Sequence, residues 1–64
     1  MLYNGNKITL SNKLPLLDFL SNNKYDISKI AIELNNQIVP KAQYTNIVLN
    51  DSDKIEIVSF VGGG

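Results

Sequence analysis

The run KIEIVSFV, Lys54 to Val61, decides how the chain is read. Successive side chains along a strand point to opposite faces. Ile55 and Ile57 then share one face, while Glu56, Val58 and Phe60 share the other. If the isoleucines point at a core, two large apolar groups, Val58 and Phe60, point to solvent. Three explanations are open: a bulge or loop covers them, they are scattered exposed apolar residues of the ordinary kind, or they form a docking patch. Gly62, Gly63 and Gly64 follow directly, and the carboxylate of Gly64 is the one functional group this segment offers.

Working outward, "KIAIELNN" is a second strand, with Ile30, Ile32 and Leu34 alternating with Ala31 and Glu33. Asn35-Asn36 makes a turn, and "QIVP" returns as a short strand ended by Pro40, which has no N–H for a ladder and belongs at an edge. "KAQYTNIVL" reads as a brief helical turn with Tyr44 tucked beneath it, then a short bridge at Ile47 to Leu49. "NDSD" is the turn that leads into the last strand. At the other end, "MLYN" and "KITL" flank Gly5-Asn6 as a hairpin. Glycine first in a two-residue loop suits a type II′ turn, and Asn-Gly would suit type I′ one residue earlier. With Gly5-Asn6 as the loop, Tyr3 faces Ile8 and Leu2 faces Thr9, which sorts apolar from polar, so this register is expected. "SNKLPLLDFLSNN" is a helix of about two turns, with Pro15 at its first position and Leu16, Leu17, Phe19 and Leu20 along the apolar arc. So short a helix needs a sheet to pack on. The class is α+β, a mixed sheet packed on one main helix. Pairing the first and last strands in parallel at its centre gives a β-grasp layout. Tyr3, Ile8, Leu20, Ile32 and Ile57 are the expected core. The expected organisation is one domain over residues 1–61 and a flexible glycine tail over 62–64.

Composition excludes several functions. The 64 residues include no cysteine and no histidine, so a Ser-His-Asp triad, a Cys-His pair and the usual zinc sites lack their parts. Six basic residues, all lysine, balance six acidic ones. No basic patch is available for a phosphate backbone, so nucleic acid is not an expected partner. No apolar run approaches the roughly 20 residues that span a bilayer. No charged segment precedes an apolar one as in a signal peptide. A cytoplasmic protein, monomeric when free and with no membrane partner, is expected. A chain this short buries only about 60% of its unfolded surface, so its stability should be modest.

A terminal glycine segment can be a frayed, inert end. It can also be a thread of about 10 Å, thin enough to enter a tunnel where a side chain would clash. Its carboxylate is a poor electrophile until ATP converts it to an acyl-adenylate, from which a second nucleophile displaces AMP.

Two segments carry a resemblance. "IAIELNNQIVP" and "DSDKIEIVSFVGGG" are similar to the strand–Asn–turn–IVP segment and to the acidic turn, last strand and terminal diglycine of the sulfur carrier family of thiamin biosynthesis, the ubiquitin-like ThiS family. The likeness covers nearly the whole chain. Ser52 stands where that family usually has glycine, and the helix lacks a polar N-cap. The resemblance implies a mechanism. An E1-like adenylating enzyme would use ATP and magnesium to activate the carboxylate of Gly64. A sulfur donor protein would convert it to a thiocarboxylate, and thiazole synthase would take the sulfur. The chain would itself catalyse nothing and hold no cofactor stably. Gly63 and Gly64 match the family diglycine, Gly62 is an additional threading glycine, and Val58 and Phe60 are the docking candidates. Other fates of the same tail are the small subunit of molybdopterin synthase, a ubiquitin-like modifier of lysines, and a β-grasp binding module with an inert end.

Overall fold

The computed structural model describes residues 1–61; Gly62, Gly63 and Gly64, and with them the expected tail, lie outside the described residues. In chain order the elements are β1 (Leu2–Tyr3), β2 (Asn6–Lys7), β3 (Leu14–Pro15), α1 (Leu16–Asn22), a 3-10 helix (Ile27–Lys29), β4 (Ile30–Leu34), β5 (Gln37–Ile38), a second 3-10 helix (Lys41–Asn46), β6 (Val48–Leu49) and β7 (Lys54–Ser59). Five strands form a mixed sheet in the order β2-β1-β7-β4-β5. β7 lies at its centre, parallel to β1 and antiparallel to β4. This is the expected β-grasp arrangement, with β5 at the edge before Pro40. β3 and β6 pair separately as a two-stranded ladder beside the sheet.

Alternation explains the core. Ile55 and Ile57 of β7 and Ile30 and Ile32 of β4 are buried, and Leu16, Phe19 and Leu20 of α1 join them in one cluster. Tyr44, Leu49 and Met1 complete it. Burying each large aliphatic side chain contributes about 1.5–3 kcal/mol relative to exposure. Among the described residues no polar or charged side chain is buried. Tyr3 and Ile8, expected in the core, are only partly buried against it. The Tyr3 ring meets Phe19 edge to face with centroids 5.0 Å apart, and its hydroxyl shares a hydrogen bond with that of Tyr25.

Two expectations are corrected. The first hairpin pairs Leu2 with Lys7 and Tyr3 with Asn6, so its loop is Asn4-Gly5 and not Gly5-Asn6. Asn4 and Gly5 have φ of 49° and 84°, the two positive values a type I′ turn needs. Turn chemistry prevails over the better apolar sorting, and Tyr3 stands opposite Asn6 and not Ile8. The second correction concerns Pro15, which precedes the helix instead of opening it. Its ψ of 137° is extended. With Leu14 it forms β3 against Val48 and Leu49, and Leu16 N–H then donates to Ile47 O. The ladder partner, remote in sequence, holds Pro15 out of the helix.

The Tyr44 turn and the bridge after it form as expected, with Tyr44 buried. The last strand ends at Ser59, two residues short of the expected Val61. Ser52 is accommodated because it is not among the residues with positive φ. The turn is held instead by Asp51, which accepts from Leu10 N–H at 2.9 Å, and by Asp53, which accepts from Asn50 N–H at 2.8 Å.

Candidate functional site

The central strand delivers the chain to its end. β7 is held on one side by β4 over five residue pairs, from Leu34–Ile55 to Ile30–Ser59. Phe60 N–H donates to Lys29 O, which extends that support by one residue. Whatever follows Val61 therefore leaves from the best-anchored strand of the sheet.

The outer face of β7 is exposed where alternation puts it outward. Val58 is 62% exposed and Phe60 42%, while Val61 beyond them is fully exposed. Ala31 stands directly opposite Val58 on β4 and is exposed as well. Among the described residues no loop covers this strip. Two rungs away on the same face, Glu33 and Glu56 stand opposite each other across the same strand pair, and Ile38 of β5, opposite Glu33, is exposed. Lys54 Nζ lies 3.7 Å from Glu56 Oε1.

The inner edge of β7 is closed by a residue that sequence reasoning missed. β1 stops at Tyr3, and the Asn4 side chain continues its ladder. Asn4 Oδ1 accepts from Ile57 N–H at 2.7 Å, and Asn4 Nδ2 donates to Ile57 O at 3.2 Å. Asn35 does similar work at the other end, where its N–H donates to Lys54 O and its Oδ1 accepts from Lys54 N–H. An Asn beside a turn glycine was the available signal for the first. Nothing local pointed to its partner 53 residues away.

Desolvation, with the Tyr3 hydroxyl second, pushes the Tyr25 phenol up to about 12. The Ser28 hydroxyl, then its N–H, holds Asp26 below the ordinary carboxylate range. Burial raises Tyr44. These shifts belong to structural hydrogen bonds and packing. Among the described residues no cluster of metal-ligating side chains occurs, and no helix is long and apolar enough to cross a membrane. A shallow cleft lined by Met1, Leu2, Lys7 and residues 51–54 lies at the start of β7, about 20 Å along the strand from Phe60.

β7 thus ends beside an exposed apolar strip formed by Ala31, Val58 and Phe60. The sequence model of the ThiS family matches residues 1–64. The chain belongs to the ThiS family. It is 40% identical over 47 residues to the sulfur carrier protein ThiS of Bacillus subtilis, covering 73% of this chain and 71% of that one. It is also 39% identical over its full 64 residues to a thiazole synthase of Paramagnetospirillum magneticum, and spans 20% of that relative's length. The crystal structure of a thiamine biosynthesis protein (ThiS) from Geobacter metallireducens superposes with a TM-score of 0.80 at 26% identity, covering 98% of this chain and 96% of that one. ThiS-family chains are ubiquitin-like sulfur carriers of thiamin biosynthesis, not enzymes, and they work with an adenylating enzyme and thiazole synthase. Among the ThiS site candidates, Val58 and Phe60 are on the exposed face. Gly62, Gly63 and Gly64 lie outside the described residues.

Proposed function

We propose that this chain carries sulfur on the Gly64 carboxylate for the thiazole ring of thiamin. The observation that carries this proposal is the family match over residues 1–64, with two residues, Phe60 and Val61, between the anchored central strand and the triglycine. A carboxylate oxygen of Gly64 attacks the α-phosphorus of ATP, held with magnesium by the adenylating enzyme, and pyrophosphate leaves. Sulfide, delivered as HS− by a donor protein, then attacks the acyl carbon, AMP leaves with the C–O bond broken, and a thiocarboxylate remains for thiazole synthase. Each chemical group except the carboxylate comes from a partner, which suits a chain without cysteine or histidine. Gly62 and Gly63 thread the partner's tunnel, and Val58 and Phe60 dock on its surface. The free carrier is monomeric and works in the cytoplasm, where ATP is at hand.

The test is ATP–pyrophosphate exchange with the adenylating enzyme of the same cell, followed by intact mass spectrometry for an oxygen-to-sulfur change. The unaltered chain should support both. One residue added after Gly64 moves the carboxylate by about 3.5 Å. Reacting atoms must lie within about 3–3.5 Å, so exchange should be nearly abolished. Gly63→Val should do similar harm by bulk and by restricting φ. Phe60→Asp should weaken binding without lowering Tm, because Phe60 lies outside the buried core. Full adenylation of the extended chain would reduce the glycines to an inert end, and an unfolded Phe60→Asp would make Phe60 a core residue.

A further inference from the structure

The hydrogen bonds of β7 alternate strictly between its two neighbours. Lys54 and Phe60 bond toward β4: Asn35 N–H donates to Lys54 O, and Phe60 N–H donates to Lys29 O. Odd-numbered residues bond toward β1. Leu2 N–H donates to Asp53 O, Asn4 N–H donates to Ile55 O, and Ile57 is held through both its N–H and C=O by the Asn4 side chain. By the same alternation the N–H and C=O of Ser59 point to the β1 side. There β1 has already ended and Asn4 has spent its amide on Ile57. Ser59 is exposed, and among the described residues neither of its main-chain groups has a partner on that side. The longest strand of the sheet therefore keeps an open edge at the end that leads to the glycines. The outermost strands β2 and β5 are two residues each, the usual way an edge is kept short.

We propose that this edge at Ser59 receives an extended segment of the adenylating enzyme, which adds to the sheet as a strand beside β7. The proposal rests on the carrier function above and goes beyond it by naming the mode of recognition. Two observations select this occupant. Gly62 to Gly64 have no side chains, so a partner can read them only through the main chain. Strand addition is that form of recognition, and Ser59 is where such a ladder would start. A strand laid there also brings its outward side chains alongside Val58 and Phe60, so one segment engages the open edge and the apolar strip together.

The experiment is amide hydrogen exchange, read by NMR on the isotope-labelled chain, alone and with the adenylating enzyme, ATP and magnesium. Ser59 N–H should exchange freely in the chain alone and slow at least about tenfold in the complex, as one added hydrogen bond implies. Ile57 N–H should be protected in both. Ser59→Pro removes the donor without touching the β4 ladder, in which Ser59 N–H takes no part. It should weaken binding at least about tenfold, while Ser59→Ala, which keeps the N–H, should bind as the unaltered chain does. A Ser59 amide that stays unprotected in a formed complex overturns the proposal even where Ser59→Pro is poorly folded, and so does unchanged binding of a folded Ser59→Pro. Either result leaves carriage by Gly64 standing if pyrophosphate exchange proceeds. If the unaltered chain supports no exchange, the carrier function fails and the edge assignment falls with it.

Discussion

Asn4 occupies a left-handed backbone position, φ 49°, and its amide makes both hydrogen bonds to Ile57. A left-handed conformation costs most L-residues about 1–2 kcal/mol, and Asn tolerates it because its short polar side chain bonds locally. Here the side chain bonds a strand that the chain reaches only at its far end. Asn4→Gly keeps the φ and removes the amide, so it isolates the two bonds. It should lower stability by about 1–3 kcal/mol, the usual penalty for stranding partly buried main-chain groups. Urea denaturation reads this directly, and an unchanged midpoint would show that water replaces the amide without loss. This residue also marks where the sequence could not be read. The alternation that put Val58 and Phe60 outward is local, and it was legible. The hairpin loop follows the Asn4-Gly5 turn chemistry, with Asn4 also bonded to Ile57, 53 residues away, and sorting by polarity chose the wrong loop.

Across β4 and β7 the rung Glu33–Glu56 places two carboxylates directly opposite each other on the exposed face. Like charges in that position destabilise a sheet, and Lys54 stands at 3.7 Å from Glu56 alone. Glu33→Lys turns the rung into an opposite-charge pair. It should raise stability by about 0.2–1 kcal/mol. The gain should shrink in 1 M salt, where the screening length falls to about 3 Å. A denaturant midpoint that does not rise at low salt would show that the two carboxylates do not repel. The elements themselves were largely legible. β4, the Asn35-Asn36 turn, β5, the Tyr44 turn and β7 follow from period, turn residues and proline. The β3–β6 ladder was not legible at Leu14–Pro15, because two residues carry no periodicity and Pro15 is equally at home opening a helix. Only its pairing with Val48 and Leu49 decides the matter.

At the scale of the whole molecule, Asp51 ties the start of the chain to the turn before β7. Leu10 N–H and then the terminal ammonium of Met1 hold its carboxyl below the ordinary 3.8. A carboxyl whose pKa is depressed in the folded state contributes stability at pH above its unfolded value. That contribution is lost as pH falls through the folded value. With no histidine to titrate between pH 5 and 8, histidine adds no slope to stability over that range. Stability should then decline as the medium is acidified below about pH 4. Asp51→Asn should show a shallower acid decline, measured as denaturant midpoint against pH, and an identical decline would remove Asp51 from the account. The central place of β7 has a mechanical consequence as well. A pull on the glycine end runs along β7 and loads its rungs with β4, and its ladder with β1, in shear, so they resist together. An unfolding machine that grips this terminus would meet the stiffest part of the molecule first. The same pull applied through β5, held by two rungs at the sheet's edge, would peel them one after another.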